Sequence, residues 1–327
     1  MPKIAICNVS GFGREFPEFI TELEEKVGPV KKFTFDSNIS SEELAQELRG
    51  YTYVILGTHP TFKEEFFELN HDVKLIARHG LGFNNIDIDA ATKYGVIVTK
   101  ESNVIEQDAV AEHAVGLLHA VAKNIIKANE MVHKDEWKVK RERLMGYQLR
   151  NRVTGIIGYG NIGRRVGEIM KYGYKNEVIA YDPYLPESVA EELGIELVSL
   201  ETLFERSDFI SIHCNLTKDN ENLINETILE HAKPSLILIN CARGGLVDEH
   251  AIASAINNDK IFGYGADAAK EEPMKMNNPL LKLDHVVLSP HVGVYNYTCT
   301  EMMNRKVMDD IYKMEAGEKP SDIINKF

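Results

Sequence analysis

The chain has 327 residues, 44% of them hydrophobic, enough for two compact domains with a core each. Its 37 basic and 50 acidic residues leave a net charge of −13, spread along the chain, which argues against a nucleic-acid or anionic-membrane surface. The four cysteines, Cys7, Cys214, Cys241 and Cys299, are scattered without C-x-x-C spacing, which argues against a disulfide framework or a zinc site and fits a reducing, cytoplasmic setting.

Met1-Pro2-Lys3 runs directly into the strand-like Ile4-Ala5-Ile6-Cys7, so no secretory leader is expected. No stretch approaches the ~20 apolar residues that span a bilayer. Strands are predicted at residues 4–9, 32–35, 54–57, 75–77 and 96–99, with amphipathic helices between them. Ser40 and Glu43 form a capping box before Leu44 and Leu48, which gives one of those helices a start and a buried face. A long helical pattern follows from Val104 to about His133, with Val110, Ala114, Leu117, Leu118 and Val121 on one face. A second series places six strands at 154–157, 178–181, 209–213, 236–240, 262–266 and 286–288. Residues 298–317 read as a helix with Met302, Val307 and Ile311 inward, expected to return to the first domain.

The segment Gly158-Tyr159-Gly160-Asn161-Ile162-Gly163 is a G-x-G-x-x-G at the exit of an apolar strand and the entrance of a helix. Gly158 suits a tight turn, Gly160 a close backbone approach to a pyrophosphate and Gly163 close helix–strand packing, with the amides of Asn161 and Ile162 aimed at phosphates. A glycine-rich turn without a ligand is the competing reading. Asp182 ends the next strand 19 residues after Gly163, where a dinucleotide fingerprint expects an acid on the adenosine ribose. The alternative for Asp182 is a turn or capping residue before Pro183. A carboxylate there would accept both ribose hydroxyls of NAD and repel the extra phosphate of NADP, so NAD is the expected cofactor.

Three later segments carry reactive side chains: residues 240–249, Asn-Cys-Ala-Arg-Gly-Gly-Leu-Val-Asp-Glu; residues 267–273, Asp-Ala-Ala-Lys-Glu-Glu-Pro; and residues 288–293, Leu-Ser-Pro-His-Val-Gly. With the fingerprint, with residues 80–87 (Gly-Leu-Gly-Phe-Asn-Asn-Ile-Asp) and with Val110-Ala111-Glu112-His113, the chain resembles the D-isomer-specific 2-hydroxyacid dehydrogenase family over nearly its whole length. The resemblance implies two doubly wound parallel α/β domains. One is a discontinuous, flavodoxin-like substrate domain of residues 1–102 and 296–327; the other is an inserted Rossmann NAD-binding domain of residues 103–295, with catalysis in the cleft and a homodimer as the assembly.

By matching position, Arg243 is the substrate-anchoring cation, His291 the acid/base and Glu272 its carboxylate partner. The chemistry suits these types. A planar guanidinium can pair with a 2-keto acid's carboxylate and polarise its carbonyl, and histidine gains and loses a proton near neutral pH. The resemblance also implies that Asp267 binds the nicotinamide carboxamide, that Cys214, Asn215 and Asn220 line the adenine and ribose side, and that Cys241 and Ala242 lie near the nicotinamide ribose. Val104 would approach the nicotinamide from the long helix. Leu81 and Gly82 would offer backbone amides to the substrate carboxylate, with Arg78 a further candidate. Solvated turn or loop residues are the plain alternatives for Arg243, His291 and Glu272, the last with Glu271 beside it.

The chain departs from the family pattern at Asn215, where proline is usual, and in Lys100-Glu101-Ser102-Asn103, which lacks the usual proline. The remaining histidines, His113 among them, are expected to be surface or packing residues, and no metal is expected. Trp137 suits either a subunit interface or a satellite core. The expected activity is NAD-linked interconversion of small 2-keto and 2-hydroxy acids. Rivals are phosphite or formate oxidation on the same scaffold, the formate branch disfavoured by glutamate rather than glutamine at 272, and a non-catalytic NAD-sensing regulator.

Overall fold

A computed structural model describes residues 1–9, 11–102, 104–137 and 144–326. Asn103, where the second domain was expected to begin, lies outside the described residues. The chain divides into two compact units, Met1–Glu106 with Tyr295–Phe327, and Gln107–Val294.

The first unit carries five strands, β1 (Ile4–Cys7), β2 (Val30–Phe33), β3 (Tyr53–Leu56), β4 (Leu75–Arg78) and β5 (Ile97–Thr99). They form one parallel sheet in the order β2-β1-β3-β4-β5, a flavodoxin-like arrangement. β1, β3 and β4 are buried throughout, as strands covered on both faces by helices must be. Ser40 accepts from the amide of Glu43 at 3.1 Å, and Leu44 and Leu48 of that helix are fully buried. The helix Tyr297–Glu315 packs Val307, Met308 and Ile311 against Ile4, Ile6, Tyr53, Ile55 and Leu75. Met303, not the expected Met302, faces inward: Met302 is 44% exposed and Met303 4%, because Met303 stands four and eight residues before the buried Val307 and Ile311 and so shares their helix face, which Met302 does not. Beyond the helix, Ile324 N donates to Val98 O and Asn325 Nδ2 to Val96 O, pinning the C-terminal segment along β5.

The second unit carries β6 (Val153–Ile157), β7 (Glu177–Tyr181), β8 (Glu196–Leu197), β9 (Phe209–Ile212), β10 (Ile237–Asn240), β11 (Gly263–Ala266) and β12 (Val286–Leu288). All are parallel, in the order β12-β11-β10-β9-β6-β7-β8. This is the doubly wound dinucleotide order with one further strand, and it reverses direction between β6 and β9. The sheet has seven strands rather than the six expected. β8 is only two residues long and pairs with Ile179 and Ala180 of β7, too short to show a periodic pattern.

The long helical pattern is two helices, not one. The first, Gln107–Ala122, buries Ala111, Ala114, Leu117, Leu118 and Val121, and the second is Ile125–His133. Between them Asn124 takes a left-handed backbone, φ +51°, and its amide nitrogen donates to Leu144 O and Met145 O. That conformation cannot continue a right-handed helix. The helix also begins at Gln107, so Val104 lies in a turn before it, 57% exposed, and does not project from the helix as expected.

Candidate active site

The glycine loop joins β6 to the helix Asn161–Glu168. Gly158 has φ +85°, and a Cβ there would stand 2.7 Å from the backbone nitrogen of Cys214, so only glycine fits. A Cβ on Gly163 would stand 2.1 Å from Gly158 O, which is how closely the helix presses on the turn. Gly160 has open space where a side chain would be, and the first bond into the helix is Arg164 N to Gly160 O at 2.8 Å. The amides of Asn161, Ile162 and Gly163 precede that bond at the positive end of the helix. Asp182, just beyond β7, accepts from Tyr159 N at 2.9 Å and from Tyr184 N at 3.0 Å, which holds its carboxylate beside the loop. An uncovered glycine, leading amides and an adjacent fixed acid fit a dinucleotide's pyrophosphate and ribose.

Next to this loop in the sheet, the segment after β9 carries the expected Cys214, Asn215 and Asn220. Asn220 folds it on itself, accepting from Thr217 N at 2.7 Å and donating to Asn215 O at 2.8 Å. Asn215 is exposed and Cys214 is half-buried. After β10, Cys241 is half-buried and Ala242 buried. Fully buried Asn240 carries no local sequence signal of a role. It accepts from Ala242 N and donates to Arg243 O, both at 3.0 Å, and so fixes the backbone from which Arg243 projects. The Arg243 guanidinium reaches back to Ala242 O at 2.8 Å.

Glu272 and His291 meet. The imidazole Nδ1 lies 2.9 Å from Glu272 Oε2 and 3.2 Å from Oε1, while Ala269 N donates to Oε1 at 3.1 Å. Glu271, the neighbouring acid, instead pairs with Lys275 at 2.6 Å. The hydrogen bond that His291 donates to Glu272 raises the pKa of His291 above the usual histidine value, against burial and the charge of Arg243, which lower it. Burial alone would raise Glu272, but the bond and charge of His291, the Ala269 amide and Arg243 hold its carboxyl below the usual range. Arg243 thus belongs to the same electrostatic cluster.

Asp267 does something the sequence did not indicate. Its carboxylate accepts from Ser289 Oγ at 2.5 Å, Val292 N at 2.9 Å and Gly293 N at 2.7 Å, and it is 4% exposed. Burial would raise its pKa, but these bonds and one from His113 outweigh that and lower it. Both oxygens are engaged within the protein, gripping the loop that carries His291. His113, read from sequence as surface or packing, is part of this network, 2.8 Å from Ser289 Oγ. Only the position of His113 within a signature segment hinted at it.

In the other unit, Leu81 and Gly82 follow β4 in a partly exposed loop. Gly80 carries φ +137°, its carbonyl accepts from Glu101 N at 3.3 Å, and the Arg78 guanidinium lies against it, bonded to His79 O and Leu56 O. Trp137 is 63% exposed, which removes the satellite-core alternative. Among the described residues no cluster of three or more His, Cys, Asp or Glu is arranged to hold a metal, and no helix is long and apolar enough to cross a membrane.

Residues 115–293 match the D-isomer specific 2-hydroxyacid dehydrogenase, NAD binding domain. The chain is 34% identical over 330 residues to the glyoxylate reductase of Thermococcus litoralis, spanning 99% of this chain and 97% of that protein. It is 35% identical over 305 residues to the D-3-phosphoglycerate dehydrogenase of Methanocaldococcus jannaschii, spanning 93% of this chain but 57% of that protein, little more than half its length. Among solved structures, the apo D-lactate dehydrogenase of Escherichia coli superposes with a TM-score of 0.83 at 29% identity, covering 98% of this chain and 99% of that one. With its two parallel α/β units and a second unit that is an NAD-binding domain, the chain belongs to the D-isomer specific 2-hydroxyacid dehydrogenase family.

Proposed function

We propose that the protein interconverts small 2-keto acids and D-2-hydroxy acids with NAD(H). The observation that carries this reading is the Glu272–His291 pair, 2.9 Å apart and electrostatically coupled to Arg243, in the same unit as the glycine loop. Gly158, Gly160, Asn161, Ile162, Gly163 and Asp182 would hold the pyrophosphate and adenosine ribose, with Cys214, Asn215 and Asn220 beside them. Cys241, Ala242 and Asp267 would lie toward the nicotinamide. When bound, NAD(H) supplies or accepts the hydride. The carboxylate at Asp182 favours NAD over NADP.

Arg243 pairs with the substrate carboxylate and polarises the adjacent carbonyl. In the first unit, Leu81 and Gly82 are the proposed source of backbone amides for a carboxylate. Because Nδ1 of His291 is committed to Glu272, Nε2 is the nitrogen free to give a proton to the carbonyl oxygen as the carbon is reduced. Glu272 stabilises the imidazolium, so the acid form persists to higher pH than an isolated histidine would allow. In the reverse direction neutral His291 takes the proton from the hydroxyl.

On this reading Met1–Glu106 with Tyr295–Phe327 is the substrate domain. A homodimer is supported by the helix Ile125–His133, which buries none of its residues and leaves Ile125, Ile126 and Val132 about half exposed, with Trp137 and Met145 also exposed. A cytoplasmic location is supported by four free cysteines. The deciding experiment is NADH oxidation by the purified protein against graded 2-oxo acids, with chiral analysis of the product. Binding of NADH without turnover of any of them would favour an NAD-sensing regulator, and turnover of phosphite or formate alone would replace the substrate class.

A further inference from the structure

We propose that His113 and Ser289 are positioning residues for His291, acting through Asp267 to set the shape of the loop that carries the imidazole. The inference rests on reading His291 as the acid/base. His291 has φ +56°, the left-handed region that a side chain bearing a Cβ adopts only when its surroundings impose it. What imposes it is visible on both flanks. Downstream, Val292 N and Gly293 N donate to Asp267 at 2.9 and 2.7 Å. Upstream, Ser289 N donates to Ala266 O at 2.9 Å and Ser289 Oγ to Asp267 at 2.5 Å, while His291 N donates to Ser289 O at 3.1 Å. The loop is therefore closed around one carboxylate.

The proton count identifies the outer member. A serine hydroxyl has one proton, and here it goes to Asp267, so the 2.8 Å contact with His113 Nε2 requires the imidazole to donate. The same nitrogen is 3.3 Å from Asp267 Oδ1. His113 stands on the helix Gln107–Ala122, between the buried Ala111 and Ala114. A helix locked in the core thus anchors, through a hydroxyl and a carboxylate, the backbone that aims His291 at Glu272. Removing either link leaves nearly buried Asp267 short of a donor and frees the loop to settle differently.

The test uses His113→Leu and Ser289→Ala, which delete the links, and His113→Gln and Ser289→Thr, which keep a donor or hydroxyl in place. With glyoxylate and NADH, the deleting variants should lose about 10- to 100-fold in kcat, as sub-ångström to 1 Å misplacement does, while KM for NADH stays close to wild type. The conserving variants should recover most of it. The titration of the His291 imidazole, followed by NMR and assigned with His291→Ala, should move to lower pH in the deleting variants as the imidazole loses Glu272. Arg243 and Asp267 are the other charged groups facing it. Wild-type kcat and an unmoved His291 titration in folded His113→Leu or Ser289→Ala would overturn the proposal, as would equal losses in the deleting and conserving pairs. If the wild-type protein is inactive with every 2-oxo acid while the His291 titration still moves in the deleting variants, the reductase reading falls and the positioning role stands.

Discussion

Replacing Glu101 with glutamine should make the protein more stable, and increasingly so as pH rises. Glu101 is fully buried in the first unit, beside the Gly80 carbonyl, and among the described residues nothing hydrogen-bonds either carboxyl oxygen. Burial pushes its pKa up to about 9; Lys306 and Arg78 pull it down, and Glu106 and Asp310 push it further up. In the unfolded chain it titrates near 4.3. Below that value both states hold the proton and the residue has no pH effect. Between there and about 9 the folded chain keeps a proton that the unfolded chain releases, so stability falls as pH rises, by up to about 1.4 kcal/mol per unit. At pH 7 the accumulated cost is of order 4 kcal/mol. Glutamine carries no such cost, although its buried amide lacks partners too and returns about 1 kcal/mol of the gain. The slope therefore decides the matter better than the offset. Denaturant unfolding of both proteins at pH 5, 7 and 8.5 should show the glutamine variant's advantage widening with pH. A difference that stays constant across those conditions, or a carboxylate rather than carboxylic acid band for Glu101 in the infrared difference spectrum at pH 7, would refute the reasoning.

Three further outcomes concern the site. Glu272→Gln should remove the main influence that raises the His291 pKa, so the loss of keto-acid reduction on raising pH should begin at lower pH than in the wild type; a pH profile of kcat that keeps its alkaline limb would remove Glu272 from this role. Arg243→Ala should raise KM for the 2-oxo acid and lower kcat, together costing about 10²-fold or more in kcat/KM, with NADH affinity little changed, as read by steady-state kinetics and NADH fluorescence. Asp182→Ala should narrow the preference for NADH over NADPH; an unaltered ratio of kcat/KM for the two cofactors would take Asp182 out of the ribose site.

What could be read along the chain were features set by a residue's near neighbours. Apolar runs placed eleven of the twelve strands among the described residues, Ser40 announced its helix, and the spacing from Gly158 to Asp182 marked a candidate dinucleotide loop, because turn geometry and strand length fix that distance locally. The site triad was legible only through the resemblance of its segments to a family. Local pattern did not predict the break at Asn124, whose left-handed backbone is stabilised by carbonyls some twenty residues away, or β8, whose two residues become a strand only by pairing with β7.

Sequence alone settled the parallel α/β architecture and the tight glycine turn between β6 and its helix, since hydrophobic period and glycine sterics act over a few residues. Tertiary structure decided what Asp267 holds, and it supplied the physical reason for the pairing of Glu272 with His291 that the family resemblance had implied. Glu271 and Glu272 are chemically identical neighbours, and only the folded loop sends one to Lys275 and the other to the imidazole. His113 lies 176 residues before Ser289, and a hydrogen bond across that distance exists only once the helix Gln107–Ala122 has packed on the sheet. Long-range polar contacts depend on where packing brings backbones together, which residue order does not reveal.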